Sequence, residues 1–159
     1  MDNKNEQIQK YISHLTESTI EMFNMMFGLE SYTIENPTLT DEDIYISAII
    51  PFGDEHFRGQ MGLRTSQKTA FDLVKLMLDR GEDEHIDQET VFDGMGELAN
   101  ISVGHLKTIP YFLNIGFDLG VPNIVYGLGH GIEMFKAKYK TIDYINTQFG
   151  EIQLFVFMS

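Results

Sequence analysis

A chain of 159 residues, 43% hydrophobic and 12% aromatic, has the material for one well-buried core and is too apolar for general disorder. Its formal net charge of −13, from 24 acidic and 11 basic residues, argues against binding nucleic acid or docking on anionic membranes. The absence of cysteine excludes disulfides, thiolate zinc sites, iron–sulfur clusters and cysteine nucleophiles.

No apolar run approaches the ~20 residues that cross a bilayer. The opening Met1-Asp2-Asn3-Lys4-Asn5-Glu6 has neither the basic nor the apolar region of a signal peptide, so a cytoplasmic protein is expected. Helical periodicity predicts a first helix over Glu6–Phe27, with Ile8, Ile12, Leu15, Thr19, Met22, Phe23 and Met26 on one arc and Gly28 as its stop. Two strands are expected next, around Tyr32 and Ile34 and over Ile44–Ile50, with turns at Asn36-Pro37 and Asp41-Glu42-Asp43. Pro51-Phe52-Gly53-Asp54 reads as a further turn, and the alternating Phe57–Leu63 as a strand that closes a hairpin.

A second helix is predicted over Thr65–Arg80, with Ser66 as N-cap and an apolar band of Ala70, Phe71, Val74, Leu76, Met77 and Leu78. Gly81-Glu82-Asp83-Glu84-His85 breaks it. A third helix runs from Asp87 to the neighbourhood of Thr108, with Pro110 beyond its end. The remainder, cut by Gly116, Gly120, Pro122, Gly127 and Gly129, gives three or four strands, the last being Gly150–Phe157. The expected fold class is α+β: three helices on a largely antiparallel, roughly six-stranded sheet, in a single domain over residues 1–159.

The chemistry concentrates on the third helix. At 100° per residue, Asp93, Glu97 and Asn100 fall within about 60° of one another, and Gly104 and Lys107 extend the line. Val91, Phe92, Met95, Leu98, Ala99, Val103 and Leu106 occupy the other side and should face the core. Spacing of three residues sets the Glu97 carboxylate beside the Asn100 carboxamide on the surface. A solvated helix face is the plain reading. Against it stand Gly94, Gly96 and Gly104, each costing a helix about 1 kcal/mol relative to alanine. Gly104 lies one turn from Asn100 on the same face and Gly96 on its flank, where the lack of a Cβ admits another backbone and suggests docking. Close packing against the protein's own sheet is the competing explanation, above all for Gly94.

Asparagine is neither nucleophile nor general base at neutral pH, but its amide both donates and accepts hydrogen bonds and can hold a water in line with phosphorus. Positioning dominates phosphoryl transfer. A glutamate beside it can pair with a cation on a partner.

Asp93-xxx-Glu97-xx-Asn100, followed by Pro122, resembles the Asp/Ser-xxx-Glu-xx-Asn…Pro signature of the CheC/CheX/FliY phosphatases. The likeness extends along the chain and is nearest to CheX-like domains. Gly53–Gly59 resembles their "GdfkG" turn, Ala70–Leu78 their second helix, Gly96-Glu97-Leu98-Ala99-Asn100-Ile101 their "GElaNi", and Val121-Pro122 to Gly129 their "lP.vi.G.g" segment. The resemblance implies hydrolysis of the aspartyl phosphate on a CheY-like receiver. Glu97 would dock by a salt bridge and Asn100 would orient the attacking water, with Asp93, Gly96, Gly104 and Lys107 in the docking face. It implies no cofactor or metal of the chain's own, Mg²⁺ being supplied by the receiver, and a homodimer joined through the sheet. The alternating C-terminal strand agrees with that if it is an unprotected edge. A non-catalytic module that binds a phosphorylated receiver or a flagellar-switch-like partner is the alternative.

Glu17-xxx-Glu21-xx-Asn24-xxx-Gly28 on the first helix repeats the spacing of Asp93-xxx-Glu97-xx-Asn100-xxx-Gly104. Glu21 and Asn24 are therefore a candidate second site, the competing reading being a wet helix face ending at Gly28. Weaker signals remain. Gly129-His130-Gly131 lacks a ligand partner at helical or hairpin spacing and reads as a turn, and Glu82-Asp83-Glu84-His85 lacks the alternating oxygen ligands of a calcium loop.

Overall fold

A computed structural model describes residues 2–40, 42–53, 57–129 and 136–159. Among them the elements run α1 (Asp2–Phe27), β1 (Ser31–Thr33), β2 (Ile44–Gly53), β3 (Arg58–Ser66), α2 (Gln67–Met77), α3 (Gln88–Leu106), α4 (Pro110–Leu113), β4 (Asp118–Leu119), β5 (Asn123–Leu128), β6 (Tyr139–Thr147) and β7 (Gly150–Met158). The strands form one seven-stranded antiparallel sheet in the order β1-β6-β7-β3-β2-β4, with β5 pairing to the other half of β2.

Strand alternation splits the apolar side chains between two faces. Ile46, Ala48, Ile50 and Phe52 of β2, Met61 and Leu63 of β3, and Ile152, Leu154, Val156 and Met158 of β7 join the helices in one core. There Tyr11 of α1 packs its ring 5.3 Å from Phe52, 4.8 Å from Phe112 and 5.9 Å from Phe117. α1 is tied to β6 by Thr16, whose hydroxyl donates to Asp143 Oδ2 at 2.8 Å. The opposite face carries a second cluster of Ile49, Phe155 and Phe157, against which Val125 and Ala137 pack. Beside it the Arg64 guanidinium lies 3.7 Å from the centre of the Tyr45 ring and donates to Gln153 Oε1 at 2.9 Å.

Local signals set most boundaries. Ser66 Oγ accepts from Thr69 N–H at 3.3 Å and starts α2, so Thr65, expected in the helix, is the strand residue before the cap. Asp87 Oδ1 accepts from Thr90 N–H at 2.8 Å and starts α3. That hydrogen bonding holds the Asp87 carboxyl below its ordinary 3.8, since the ionised form is the better acceptor. Gly28, at φ +62°, closes α1 by donating its N–H to the Asn24 carbonyl at 3.0 Å. Pro110 does not merely follow α3; it opens the short α4 at a position whose N–H would have no helical partner.

Two expectations need correction. Pro51-Phe52-Gly53 is not a turn but the end of β2. Pro51 fits there because β5 pairs only as far as Ile49 and β4 begins at Phe52, so no ladder demands its missing N–H on that side. β7 is not an edge strand: β3 and β6 flank it, and both of its faces are buried. The edge-strand argument for a sheet-joined homodimer therefore falls. Asp54, Glu55 and His56 of the hairpin turn lie outside the described residues, as do His130 and Gly131. No helix among the described residues is long and apolar enough to cross a membrane.

Candidate active site

α3 is held on its inner side by Val91, Met95, Leu98, Ala99, Val103 and Leu106, all buried, while Phe92 is half-buried with its ring 5.4 Å from that of Tyr126. The helix cannot roll without exposing that side. Its outer side is fixed by the same packing, and Asp93, Glu97, Asn100 and Lys107 stand exposed along it. Among the described residues none of these four side chains has a hydrogen bond or ion pair, so a carboxylate and a carboxamide one turn apart are presented to solvent unengaged.

The glycines separate into three roles. A methyl group at Gly94 would lie 2.6 Å from Val74 Cγ1, so this glycine admits α2, rather than the sheet, against α3. A methyl at Gly96 would sit in ordinary contact, 3.7 Å from Pro122 Cβ and 3.9 Å from Ile124 Cδ1. Gly96 is thus buried under the Pro122 loop and is not part of an open docking face, contrary to the sequence expectation. A methyl at Gly104 would meet nothing within 4 Å, which leaves the approach beside Asn100 clear.

The repeated stripe on α1 is placed differently. Ser18 Oγ donates to the Ser102 carbonyl at 2.9 Å, locking α1 to α3. Glu17, Glu21 and Asn24 are exposed, but Glu17 Oε2 lies 3.9 Å from His14 Nδ1, and Glu21 Oε2 lies 3.6 Å from His105 Nε2. His105 is not evident as a site neighbour from the sequence, because its partner sits on another helix and no local spacing announces it. The acidic turn after α2 is structural: Arg80 Nη1 meets Glu84 Oε2 at 3.4 Å and Lys75 Nζ donates to the Glu82 carbonyl at 3.1 Å. No group of three or more His, Asp and Glu side chains among the described residues could hold a metal ion.

Residues 46–143 match the family model for the chemotaxis phosphatase CheX, a segment that contains the whole α3 stripe and Pro122 but not the stripe on α1. The chain belongs to the CheX chemotaxis phosphatase family. Solved structures share its fold. CheX from Vibrio vulnificus superposes with a TM-score of 0.75 at 23% identity, covering 94% of this chain and 96% of that one. CheX from Borrelia burgdorferi, solved as a CheX–CheY–BeF3–Mg²⁺ complex, gives 0.69 at 16% identity, covering 93% and 97%. FliY of Thermotoga maritima gives 0.65 at 13%, covering 94% and 89%. A search of curated proteins returned no match.

Proposed function

We propose that this CheX-family chain hydrolyses the aspartyl phosphate of a CheY-like receiver, with Asn100 orienting the attacking water and Glu97 docking to a receiver cation. The observation that carries this reading is the unengaged, exposed Glu97–Asn100 pair on a helix whose rotation is fixed by its buried side.

The reaction adds water to phosphorus and breaks the bond to the aspartyl oxygen, giving inorganic phosphate and a free carboxylate. An acyl phosphate is already labile, so the chain needs only to position. An amide that accepts from the water and donates toward a phosphoryl oxygen can hold it in line. About a hundredfold acceleration corresponds to about 2.7 kcal/mol, within the range that orientation supplies. The divalent cation in this reading is the receiver's and neutralises phosphoryl charge there. The CheX of the Borrelia complex was solved with CheY, BeF3 and Mg²⁺, which supports a receiver partner for this chain as well. The reading places the chain in the cytoplasm with that receiver.

The test is phosphate release from phosphorylated CheY-like receivers, with binding measured separately on the beryllofluoride-loaded receiver. Asn100→Ala should bind with near-parent affinity and leave the receiver at its own rate of decay. An Asn100→Ala chain as active as the parent overturns the mechanism. A parent chain that binds the receiver without shortening its phosphorylated lifetime overturns the enzyme reading in favour of a binding module.

A further inference from the structure

The outer edge of β2 is paired by β5 up to Ile49↔Asn123 and resumes with β4 at Phe52↔Leu119. Between those pairs lie two residues of β2, Ile50 and Pro51, and three on the facing segment, Gly120, Val121 and Pro122. The extra residue makes a bulge, a device that re-aims a side chain out of the regular alternation. Both neighbours of the bulge centre are anchored. Gly120 donates its N–H to the Pro51 carbonyl at 2.7 Å, and a methyl there would be 2.8 Å from Pro51 Cγ. Pro122 rests on Gly96 of α3, the residue before Glu97. Val121, between them, is 79% exposed.

A β-branched apolar side chain held at both ends and turned to water gains nothing for the fold. Its stiffness means that little rotamer freedom is lost when a partner covers it. Val121 and Glu97 are each one residue from the place where Pro122 lies over Gly96, so the two segments that carry them run side by side. The acidic stripe can supply steering and register, while desolvated apolar contacts next to it supply lasting affinity.

We propose that Val121 is a specificity-determining contact of the receiver footprint, seating against an apolar side chain of the phosphorylated receiver beside the cation that Glu97 engages. The inference rests on the reading of α3 as the receiver-docking helix.

The test measures Kd for a CheY-like receiver loaded with beryllofluoride and Mg²⁺, and kcat and KM for phosphate release. It uses the parent chain, Val121→Asp, Val121→Ala and Val121→Ile. Val121→Asp should raise Kd and KM together by about tenfold with kcat held within about twofold, Val121→Ala should move them the same way by a smaller factor, and Val121→Ile should match the parent. An active parent with Kd and KM unchanged in both Val121→Asp and Val121→Ala overturns this inference alone. A parent that neither binds nor dephosphorylates any receiver overturns it together with the proposed function. A Val121→Asp chain that loses self-association in sedimentation while keeping receiver affinity reassigns the bulge to a contact between copies, and also overturns it.

Discussion

α3 runs on from Asn100 to Leu106, whereas α1 stops at Phe27, three residues after Asn24. The two stripes share their spacing of acid, acid and amide, but their surroundings diverge from there. Glu97 and Asn100 are exposed and unengaged, and Gly104 one turn on leaves the approach open. Glu17 and Glu21 each lie beside a histidine, and the Asn24 carbonyl takes part in closing the helix end. A repeated spacing therefore offers the same chemistry twice only where the side chains are free and the helix continues under them. On α1 the amide rides on the last turn, where helices fray, and its acidic partner faces an imidazole.

The comparison is broken most directly by the asparagines. Asn100→Ala should lower the accelerated rate of receiver dephosphorylation about a hundredfold, while Asn24→Ala leaves it within about twofold. Equal losses in the phosphate-release assay would make α1 a second working site. The glycines come next. Gly94→Ala should destabilise the fold by about 1–3 kcal/mol in urea or guanidinium unfolding, because Val74 cannot yield within a packed core. Gly104→Ala, with open space around it, should instead stabilise by about 1 kcal/mol while crowding the docking face. Glu97→Ala should raise Kd for the beryllofluoride-loaded receiver about tenfold, more so at low salt, and Glu21→Ala should leave it near the parent value. The smallest effect belongs to the start of α3. The Asp87 carboxyl is held below 3.8 by Thr90, so its contribution is present above that value and fades as pH falls through the lower folded one. Asp87→Ala should lower the thermal midpoint at neutral pH, and that difference from the parent should shrink in acid, as calorimetry across the pH range would show.

How legible the molecule is in its sequence varies with the range of the forces involved. Caps are local: Ser66 and Asp87 each accept from a backbone N–H three residues ahead, and each starts its helix, although α2 begins two residues later than the predicted Thr65. The core side of α3 is equally legible, since a 3.6-residue period needs no knowledge of what lies opposite. β7 is harder, because its alternation looks like one face in and one face out. In fact Ile152, Leu154 and Val156 feed one cluster and Phe155 and Phe157 another, and apolar residues on both faces mark an interior strand. Pro51 looks like a turn former because its tolerance in β2 depends on a gap between two other strands. Gly96 and Gly104 look alike in the sequence although one is roofed by Pro122 and the other open, a difference made by a segment well downstream of both. The His105–Glu21 pair and the bulge around Val121 are long-range in the same sense: only the assembled sheet and helices put their parts together.

The interior position of β7 also bears on the order in which the molecule can form. In the sheet formed by the described residues, β6 joins β3 through β7, and β1 pairs with β6. The β2–β3 hairpin, with β4 and β5, can assemble from earlier parts of the chain, but the β1–β6 half has no seat in the sheet until synthesis has passed Met158. Until then α1 lacks its contacts with β6 and β7 and one edge of β3 is unpaired, which leaves a chain that has not yet added β7 open to misassociation.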